Sequence, residues 1–525
     1  MEAETDVLVV GAGPVGLALA CALLQHGVTV RVIDKAAGPA TTSRANFVHA
    51  RGSEVLDRLD ALGNLPEESV RAMTITTYAG DRPMMRIRFG DPGLGTAAPP
   101  MVISQARVEA HLRERLAELG GRPEWGAALA GFQQDSDGVT AVLGDGRTVR
   151  AGWLAGCDGT GSAVRKLAGI GFPGVKVSER FLLVDGRLDP GSGSGLDRSG
   201  TSGWTHADGV LGAMPMPGEQ WRLLAYDAAF SADKPSEEEI AERVRQILPE
   251  RTGLPGIRLH DVTWASLFSV HRRLADAYRD GRVLLAGDAA HVHAPFGGQG
   301  MLTGLGDAEN LAWKLALVVH GVADGAAAER LLDTYQAERR PLATAVLRGS
   351  TAATKVNIAG SPLGRFLRDQ VLVRVFNQAW IQRWTTYTTS QLWVSYRRGP
   401  LGRPRVGLFG GRGRKPRPGD RIGDLVCRRP DGRRTRLHAE LRGRWAVLGD
   451  GIECDAAFEA ARQRLGDRVA RLHTDGTAAA PTDGTAASPA AGPALLVRPD
   501  AHLACKGGPA DLTRWLARWL DGALA

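Results

Sequence analysis

The sequence has few of the residues that stabilise secreted or metal-dependent proteins. Its five cysteines are spread over 525 residues, and no two of them form a Cys-x-x-Cys pair. A disulfide framework, a zinc ribbon and a dithiol redox site are therefore not indicated. No cluster of histidines and acids has the spacing of metal ligands, so we expect no metal site. A reducing cytoplasm is the expected location.

Lysine is scarce, with only eight among the 65 basic residues, although the formal net charge is +8. A basic chain raises the question of nucleic-acid binding. Here the arginines are scattered, most of them near acidic residues, and no basic strip with interleaved aromatics or finger motif accompanies them. The pattern is typical of a solvated surface, and we expect no nucleic-acid partner.

Long hydrophobic runs are missing apart from residues 7–24, which carry no charge. Their length reaches the threshold for a membrane span. Glycines interrupt the run, however, and the residues before it are acidic, unlike the basic start of a signal peptide. We expect no membrane segment. With 43% hydrophobic and 23% charged residues, the composition is that of a soluble protein of about three domains.

The first 34 residues contain a complete dinucleotide-binding pattern. Residues 6–10 predict a buried parallel strand, 17–26 a helix, and 28–34 a second strand that ends on Asp34. Between the first strand and the helix stands Gly11-Ala12-Gly13-Pro14-Val15-Gly16. Such glycines permit the tight turn, the approach of a pyrophosphate and close helix packing, while the acid accepts from a ribose. The pattern predicts a dinucleotide but does not separate FAD from NAD.

Two later acids follow predicted buried strands. Asp158 ends a strand in Gly156-Cys157-Asp158-Gly159, and Asp288 ends another in Gly287-Asp288. An acid at the carboxyl end of a parallel strand points into the crevice where ligands bind. A second glycine cluster, 297–300, precedes a helix predicted over 307–315 and indicates another loop that binds an anion or a carbonyl.

These motifs together resemble the class A FAD-dependent aromatic monooxygenases with the p-hydroxybenzoate hydroxylase and phenol hydroxylase fold. Within that family the chain is most similar to actinobacterial hydroxylases of aromatic polyketides and to rifampicin monooxygenases. The resemblance covers most of residues 1–345. The matching stretches are Gly11-Ala12-Gly13-Pro14-Val15-Gly16, Arg44-Ala45 with His49-Ala50-Arg51, Gln105 with Glu109 and Leu112, Gly156-Cys157-Asp158-Gly159, Gly287-Asp288-Ala289-Ala290-His291, and Gly297-Gly298-Gln299-Gly300-Met301.

The resemblance implies an α/β fold in several domains. Residues 1–175 and 276–345 would form a Rossmann-like FAD-binding domain, with 76–100 as a candidate to join the neighbouring domain. Residues 176–275 would form an antiparallel-sheet substrate domain, followed by a helical layer over 346–400 and a linker over 401–419. Residues 420–525 would be a thioredoxin-like domain that, without a Cys-x-x-Cys pair, is structural rather than catalytic.

The resemblance also implies which positions bind FAD. The first glycine motif would hold the pyrophosphate, Asp34 the adenosine ribose, and Asp288 the ribityl chain. Pro295 and Gly298 are the predicted catalytic positions, because they would lie beside the reacting edge of the flavin. The full predicted set is Gly11, Gly13, Pro14, Val15, Gly16, Asp34, Lys35, Arg44, Gln105, Asp158, Gly287, Asp288, Pro295, Gly298, Gly300, Met301 and Leu302.

Two positions depart from the family pattern. Leu302 stands where the family usually has Asn, and Gly306 stands where Gln is commoner. If position 302 contacts the flavin only through its backbone N–H group, Leu302 can still bind the flavin. If the Asn side chain helps to bind the flavin, its loss affects affinity or flavin movement.

Substrate-contacting residues are expected from the predicted sheet over 176–275. Aromatic and sulfur-containing side chains suit an aromatic ligand, although each could equally be core packing. The candidates are Trp204, His206, Met214, Trp221, Trp264 and Phe268.

The implied activity is hydroxylation of a polycyclic, polyketide-type phenol through a flavin C4a-hydroperoxide, with O2 and transient NADPH or NADH. No second GxGxxG follows a strand, so no separate NAD(P)H domain is predicted. The alternatives are Baeyer–Villiger insertion, dehydrogenation, inactivation of a rifamycin- or tetracycline-type antibiotic, and a non-catalytic FAD-binding scaffold. The oligomeric state is left open between monomer and homodimer.

The first prediction is that FAD is held without a covalent link, because no His or Cys stands out as an attachment site beyond the ordinary family pattern. Acid precipitation of the yellow protein is expected to release all of the flavin into the supernatant. Yellow colour retained in the washed pellet would contradict this prediction.

Overall fold

The computed structural model describes residues 4–41, 45–70, 74–80, 82–88, 100–191, 196, 198–206, 208–232, 234–293, 298–357, 375, 377–402, 416–474 and 492–521. Arg44 and Pro295 lie outside these residues, as does most of the predicted linker. Strands and helices are numbered along the chain.

The first sheet has a parallel centre, in the spatial order β17-β10-β1-β2-β7, and antiparallel additions at β16, β8 and β9. Its central strands are almost wholly buried, as expected for a parallel sheet covered on both faces. The strands are β1 (Thr5–Val10), β2 (Val30–Ile33), β7 (Pro123–Glu124), β8 (Leu129–Gln134), β9 (Val139–Leu143), β10 (Thr148–Gly156), β16 (Arg279–Asp280) and β17 (Val283–Leu285).

The helices around this sheet include one that differs from its prediction. The helix predicted over 307–315 spans Gly300–Val319, so it begins at Gly300, the last residue of the second glycine cluster, while Gly298 and Gln299 precede it. Its buried face continues upstream through Met301 and Leu305. The helices are α1 (Pro14–Gln25), α2 (Ala50–Arg58), α3 (Leu65–Glu68), α4 (Gln105–Glu118), α5 (Ala163–Leu167), α7 (Gly300–Val319) and α8 (Gly325–Asn357).

The second sheet is largely antiparallel, in the order β18-β15-β11-β14-β13-β12-β4-β5. One face packs against α6 (Glu237–Thr252), which begins with a capping box between Ser236 and Glu239. The opposite face turns toward the first sheet. The strands are β4 (Thr74–Ala79), β5 (Arg82–Arg88), β11 (Gly174–Asp189), β12 (Gly200–His206), β13 (Gly209–Pro215), β14 (Gln220–Asp227), β15 (Arg258–Leu274) and β18 (His291–Val292), and a separate two-stranded sheet joins β3 (Phe47–Val48) and β6 (Met101–Val102).

The C-terminal part forms a third sheet of thioredoxin-like type, in the order β20-β19-β22-β21-β23-β24. Two helices, α11 (Ile452–Leu465) and α12 (Pro509–Leu520), cover one face of it. The remaining elements are α9 (Ala379–Thr389), α10 (Leu437–Glu440), β19 (Val426–Arg428), β20 (Arg434–Arg436), β21 (Trp445–Leu448), β22 (Val469–Thr474), β23 (Ala494–Val497) and β24 (Leu503–Gly507).

Buried charges join the C-terminal part to α7 and α8. Glu338 accepts two hydrogen bonds from Arg498, at 2.8 and 3.0 Å, and one from the Lys314 Nζ atom at 2.9 Å. Asp500 completes the group by accepting from the Asn310 Nδ2 atom at 3.2 Å. Burial alone would raise the pKa of Glu338, but the charges of Arg498 and Lys314 outweigh it and lower that pKa to about 2.

Within the part of the chain that the structure describes, no helix combines the length and apolarity that a membrane crossing requires.

The second prediction is that Glu338→Gln destabilises the protein by about 3–5 kcal/mol, because the buried Lys314 loses its paired carboxylate and the buried Arg498 keeps only Asp500. The matched control is Glu329, an exposed residue on the same helix as Glu338. Glu329 pairs with Arg279 of β16. Glu329→Gln should cost at most about 1 kcal/mol. Thermal and urea unfolding followed by tryptophan fluorescence would measure both variants.

The pH dependence gives this prediction a second measurement. The pKa of Glu338 is lower in the folded protein than its ordinary value of 4.5. Its ionised carboxylate therefore contributes fully to the free energy of unfolding above pH 4.5, and this contribution is lost as the pH falls toward 2. The gap in stability between wild type and Glu338→Gln should therefore narrow over that window. A gap that stays constant would show that the Glu338 charge is not its source.

Candidate active site

Two contiguous cavities lie between the first and second sheets. The first, of about 570 Å³, lies at the carboxyl ends of β1 and β10, and the second, of about 460 Å³, lies against the second sheet. Four residues line both cavities: Ala45, Asp288, Gly300 and Met301. Of the residues predicted to bind FAD, those that line the first cavity are Gly11, Gly13, Pro14, Val15, Asp34, Lys35, Gln105, Asp158, Asp288, Gly300 and Met301.

The three glycines of the first motif have different structural roles. Gly11 has φ +108, and a Cβ atom there would lie 2.4 Å from the Cys157 carbonyl oxygen. A Cβ atom on Gly16 would lie 1.9 Å from the Gly11 carbonyl oxygen, so Gly16 is required for packing α1 on the turn. A Cβ atom on Gly13 would meet no protein atom within 4 Å and would project into open space at the cavity wall. Only Gly13 keeps free a space that a ligand could use.

Asp34 follows β2 and serves two purposes in the structure. Its Oδ2 atom accepts from the Ala12 N–H at 2.7 Å, and its Oδ1 atom accepts from the Ala36 N–H at 2.8 Å. The carboxylate therefore fixes the glycine turn. Each oxygen has a further lone pair on the side of the cavity, where it can accept from a hydroxyl group.

Asp158 has one oxygen engaged by protein and one that is not. Its Oδ2 atom accepts from the N–H groups of Ala163 and Val164, at 2.6 and 3.2 Å, and so fixes the start of α5. Its Oδ1 atom is buried and has no hydrogen-bond partner in the protein. An unsatisfied buried acceptor in a cavity wall carries a free-energy cost, which a ligand donor would remove. This orphaned atom and the space beside Gly13 show that the site fits a polyhydroxylated dinucleotide.

The turn Gly287–Ala289 carries Asp288, which is exposed to both cavities. Gly287 has φ +61, and its backbone packs so closely on Val15 that a Cβ atom would lie 2.8 Å from the Val15 side chain. Asp288 is thereby held at the junction of the cavities. A carboxylate there can accept from hydroxyl groups of a chain that passes from one cavity to the other.

The segment 298–302, which we call the glycine loop, leads into α7. Gly298 has φ +60 and lies against Phe47 and His49. Gly300, Met301 and Leu302 form the first turn of α7, so their N–H groups have no partner within the helix. The Leu302 side chain is 3% exposed and lines neither of the two cavities. Only its backbone can therefore contribute to the site.

The predicted substrate residues divide into two groups. Trp204, Met214 and Phe268 line the second cavity. Trp221 does not, because alternation along β14 directs its neighbour Arg222 to the cavity and Trp221 to the core beside α6. The structure also does not bring His206 or Trp264 to this cavity. His206 ends β12 beside Asp208, and Trp264 lies four residues along β15 from Phe268.

Several residues at the site escaped the sequence analysis. The second cavity is also lined by Asn46, His49, Arg222, His271 and His293, which come from four separate segments. Arg222 is buried and donates to both oxygens of Asp185, at 2.8 and 2.6 Å. His49 belongs to a stretch that the resemblance had marked, but only the folded chain places it beside Gly298.

A buried carboxylate, Asp307, also went unrecognised. It accepts from the Gly287 N–H at 3.1 Å and from the Arg339 Nε atom at 2.7 Å, and it lies 2.6 Å from the His291 Nε2 atom. Burial would raise the pKa of Asp307, but the charges of Arg339 and His291 outweigh it and lower the pKa. No spacing rule pairs Asp307 with these partners, which lie up to 32 residues from it in sequence.

Comparison with known proteins identifies the family. Residues 4–350 match the family described as "FAD binding domain", and residues 415–523 match "Aromatic-ring hydroxylase, C-terminal". The chain belongs to the FAD-dependent aromatic hydroxylases. It is a flavin-dependent monooxygenase of the p-hydroxybenzoate hydroxylase fold, and FAD is its cofactor.

Among the relatives of this aromatic hydroxylase are monooxygenases named for tetracycline-type compounds and for rifampicin. The chain is 35% identical to the 12-dehydrotetracycline 5-monooxygenase/anhydrotetracycline 6-monooxygenase of Streptomyces rimosus over 98% of each chain. It is 38% identical to the rifampicin monooxygenase of Streptomyces venezuelae, over 66% of this chain and 70% of the relative. The structure of anhydrotetracycline hydroxylase from Streptomyces rimosus superposes with a TM-score of 0.76 at 32% identity, covering 98% of this chain and 99% of that one. Aklavinone-11 hydroxylase with FAD and aklavinone gives 0.78 at 26% identity, covering 99% and 100%.

The third prediction is that substitutions of Gly13 and Gly16 have different effects, because the two glycines have different surroundings. Gly13→Ala should leave the fold intact, since Gly13 has φ −76 and space for a methyl group, but should weaken FAD binding at least tenfold. Gly16→Ala should instead prevent normal folding. Circular dichroism and FAD titration of the apoprotein would measure both effects. A folded Gly13→Ala protein that binds FAD as tightly as wild type would refute the assignment of the pyrophosphate to this cavity.

Proposed function

We propose that this hydroxylase uses NADPH or NADH and O2 to hydroxylate a polycyclic phenol of the aromatic polyketide class. The observation that carries the proposal is the contact between the two cavities at Asp288, Gly300 and Met301. A dinucleotide in the first cavity would place its ring system at the wall of the second. The relatives named for tetracycline, rifampicin and aklavinone chemistry support a large ring system as substrate.

The second cavity suits such a substrate in size and chemistry. Its volume of about 460 Å³ lies within the range of pockets that enclose drug-sized molecules. Apolar side chains form much of its wall and exclude water from the ring, while a few polar groups are available for its oxygens. The apolar set includes Ile75, Leu183, Val210, Leu211, Met214, Leu224 and Phe268, and the polar set includes Asn46, Thr77, Thr201, Ser202 and Arg222.

We assign roles to the chain on this basis. When bound, FAD would supply the redox chemistry: two electrons from the nicotinamide would be used to activate O2, with one oxygen atom entering the substrate and the other leaving as water. The glycine turn and Asp34 bind the pyrophosphate and ribose, Asp158 and Asp288 accept from hydroxyls, and the N–H groups of the glycine loop face the flavin. Met214 and Phe268 position the substrate ring beside it.

Two further features of the biology belong to this proposal. The five cysteines are buried and contain no Cys-x-x-Cys pair, which suits a reducing cytoplasm. The sequence has no second GxGxxG motif behind a strand, which suits NADPH or NADH that binds only transiently. Whether the activity serves biosynthesis or antibiotic inactivation depends on the substrate.

The fourth prediction is the direct test. Anhydrotetracycline, aklavinone and rifampicin are offered to the FAD-loaded enzyme with NADPH, and products are analysed by mass spectrometry under isotopically labelled O2. At least one polycyclic phenol should accelerate NADPH oxidation and gain one labelled oxygen atom on an intact ring skeleton. Ring expansion or opening would favour Baeyer–Villiger chemistry, loss of two hydrogens would favour dehydrogenation, and no product from any compound would contradict the substrate class.

The fifth prediction tests the second cavity. Met214→Trp should raise the KM of the accepted polycyclic substrate at least tenfold, because the larger side chain fills space that the rings require. Trp264→Phe, on the same sheet but outside the cavity, is the control and should change KM less than twofold. FAD content should stay unchanged in both. Equal effects of the two substitutions would contradict the placement of the substrate.

A further inference from the structure

A chain of polar contacts connects the C-terminal sheet to the turn that carries Asp288. It begins at Tyr396, whose ring centroid lies 4.3 Å from that of His502. The Tyr396 N–H also donates to the Gly419 carbonyl oxygen at 2.7 Å, which fixes the backbone at the same place. Tyr396 is 5% exposed, so its phenol group is held in the interior between the C-terminal sheet and α8.

Arg339 hydrogen-bonds to Tyr396 and links it to α7. Its guanidinium donates from Nη1 to the Tyr396 hydroxyl at 2.8 Å, from Nε to the Asp307 Oδ1 atom at 2.7 Å, and from Nη2 to the Thr303 carbonyl oxygen at 2.8 Å. Asp307 in turn accepts from the Gly287 N–H. Arg339 therefore contacts the first turns of α7 directly, and it reaches the turn Gly287–Ala289 through Asp307. A planar guanidinium with donors in fixed directions sets the geometry of both.

Leu302 and Gly306, the two positions that depart from the family pattern, lie beside the Arg339 guanidinium. A Cβ atom on Gly306 would lie 2.8 Å from the Arg339 Nη2 atom, so the glycine leaves room for the arginine. Leu302, Gly306, Arg339 and Tyr396 surround a cavity of only about 10 Å³. Neither residue offers an amide side chain there. At this point α7 is held by the Arg339 contact to the Thr303 carbonyl oxygen, together with the Gln391 Nε2 atom, which donates to the Thr303 Oγ1 atom at 2.8 Å.

We propose that Arg339 is a positioning residue for the FAD site and that Tyr396 holds it in place, so that the attachment of the C-terminal domain sets how tightly FAD is bound. The inference rests on the proposed roles of the turn Gly287–Ala289 and the glycine loop in binding FAD. Neither Arg339 nor Tyr396 lines the cavities assigned to FAD and substrate, so both act through other residues.

The experiment measures FAD release from the holoenzyme of Tyr396→Phe. This substitution removes only the hydroxyl that accepts from Arg339 and keeps the ring on His502. After dilution, the fluorescence of released FAD should report a dissociation constant at least fivefold above wild type, and the visible absorption bands of the bound flavin should shift. Arg330→Ala is the matched control, because Arg330 also joins α8 to the C-terminal domain, by donating to the Asp521 carbonyl oxygen at 3.0 Å. It should change the dissociation constant less than twofold.

A second variant tests the same contact from the other side. Gly306→Ala leaves Tyr396 intact but places a methyl group against the guanidinium, and it should also weaken FAD binding at least fivefold. The proposal is overturned if Tyr396→Phe has an unchanged FAD dissociation constant and flavin spectrum, whether or not its Tm is lower. If Tyr396→Phe does not fold, the same outcome for Gly306→Ala overturns it. It is equally overturned if Arg330→Ala weakens FAD binding as much. No aromatic substrate or NADPH is present in these measurements, so an error in the proposed substrate would leave the result standing.

Discussion

A single buried carboxylate, that of Asp307, holds together the parts of the chain that form the junction of the two cavities. It accepts from the backbone of the turn that carries Asp288, contacts His291 at the end of that turn, and pairs with Arg339 on α8. A buried charge of this kind is tolerated only when its partners satisfy it. The same partners therefore fix the position of the turn, and the placement of Asp288 at the junction of the two cavities depends on them.

Close backbone packing provides the other half of the site. Gly11, Gly16 and Gly287 each occupy a place where a Cβ atom would overlap a neighbour, and together they bring α1, β10 and the turn Gly287–Ala289 into contact. Gly13 differs because the space beside it is open. The first cavity thus combines a rigid wall with few side chains, and such a wall allows phosphate groups to approach the N–H groups at the start of α1.

The C-terminal domain is part of the same interior rather than an appendage. Its Arg498 donates to Glu338 on α8, which also accepts from Lys314 on α7, and its Asp500 accepts from Asn310 on α7. The domain carries no dithiol that could react, and its cysteines are buried. Its buried charges stabilise the geometry of α7 and α8.

The sequence by itself determined the dinucleotide-binding motif and the approximate course of the strands, because glycine spacing and apolar runs are local properties of the chain, and its resemblance to the aromatic monooxygenases implied FAD and the fold class. It located Asp34, Asp158 and Asp288 for the same reason. Only the tertiary structure decided that α7 begins at Gly300, that Trp221 turns to the core while Arg222 faces the substrate cavity, and that Asp307 pairs with Arg339. Those outcomes depend on which face of a strand meets another sheet and on charges that are brought together from distant segments, and no local pattern encodes either.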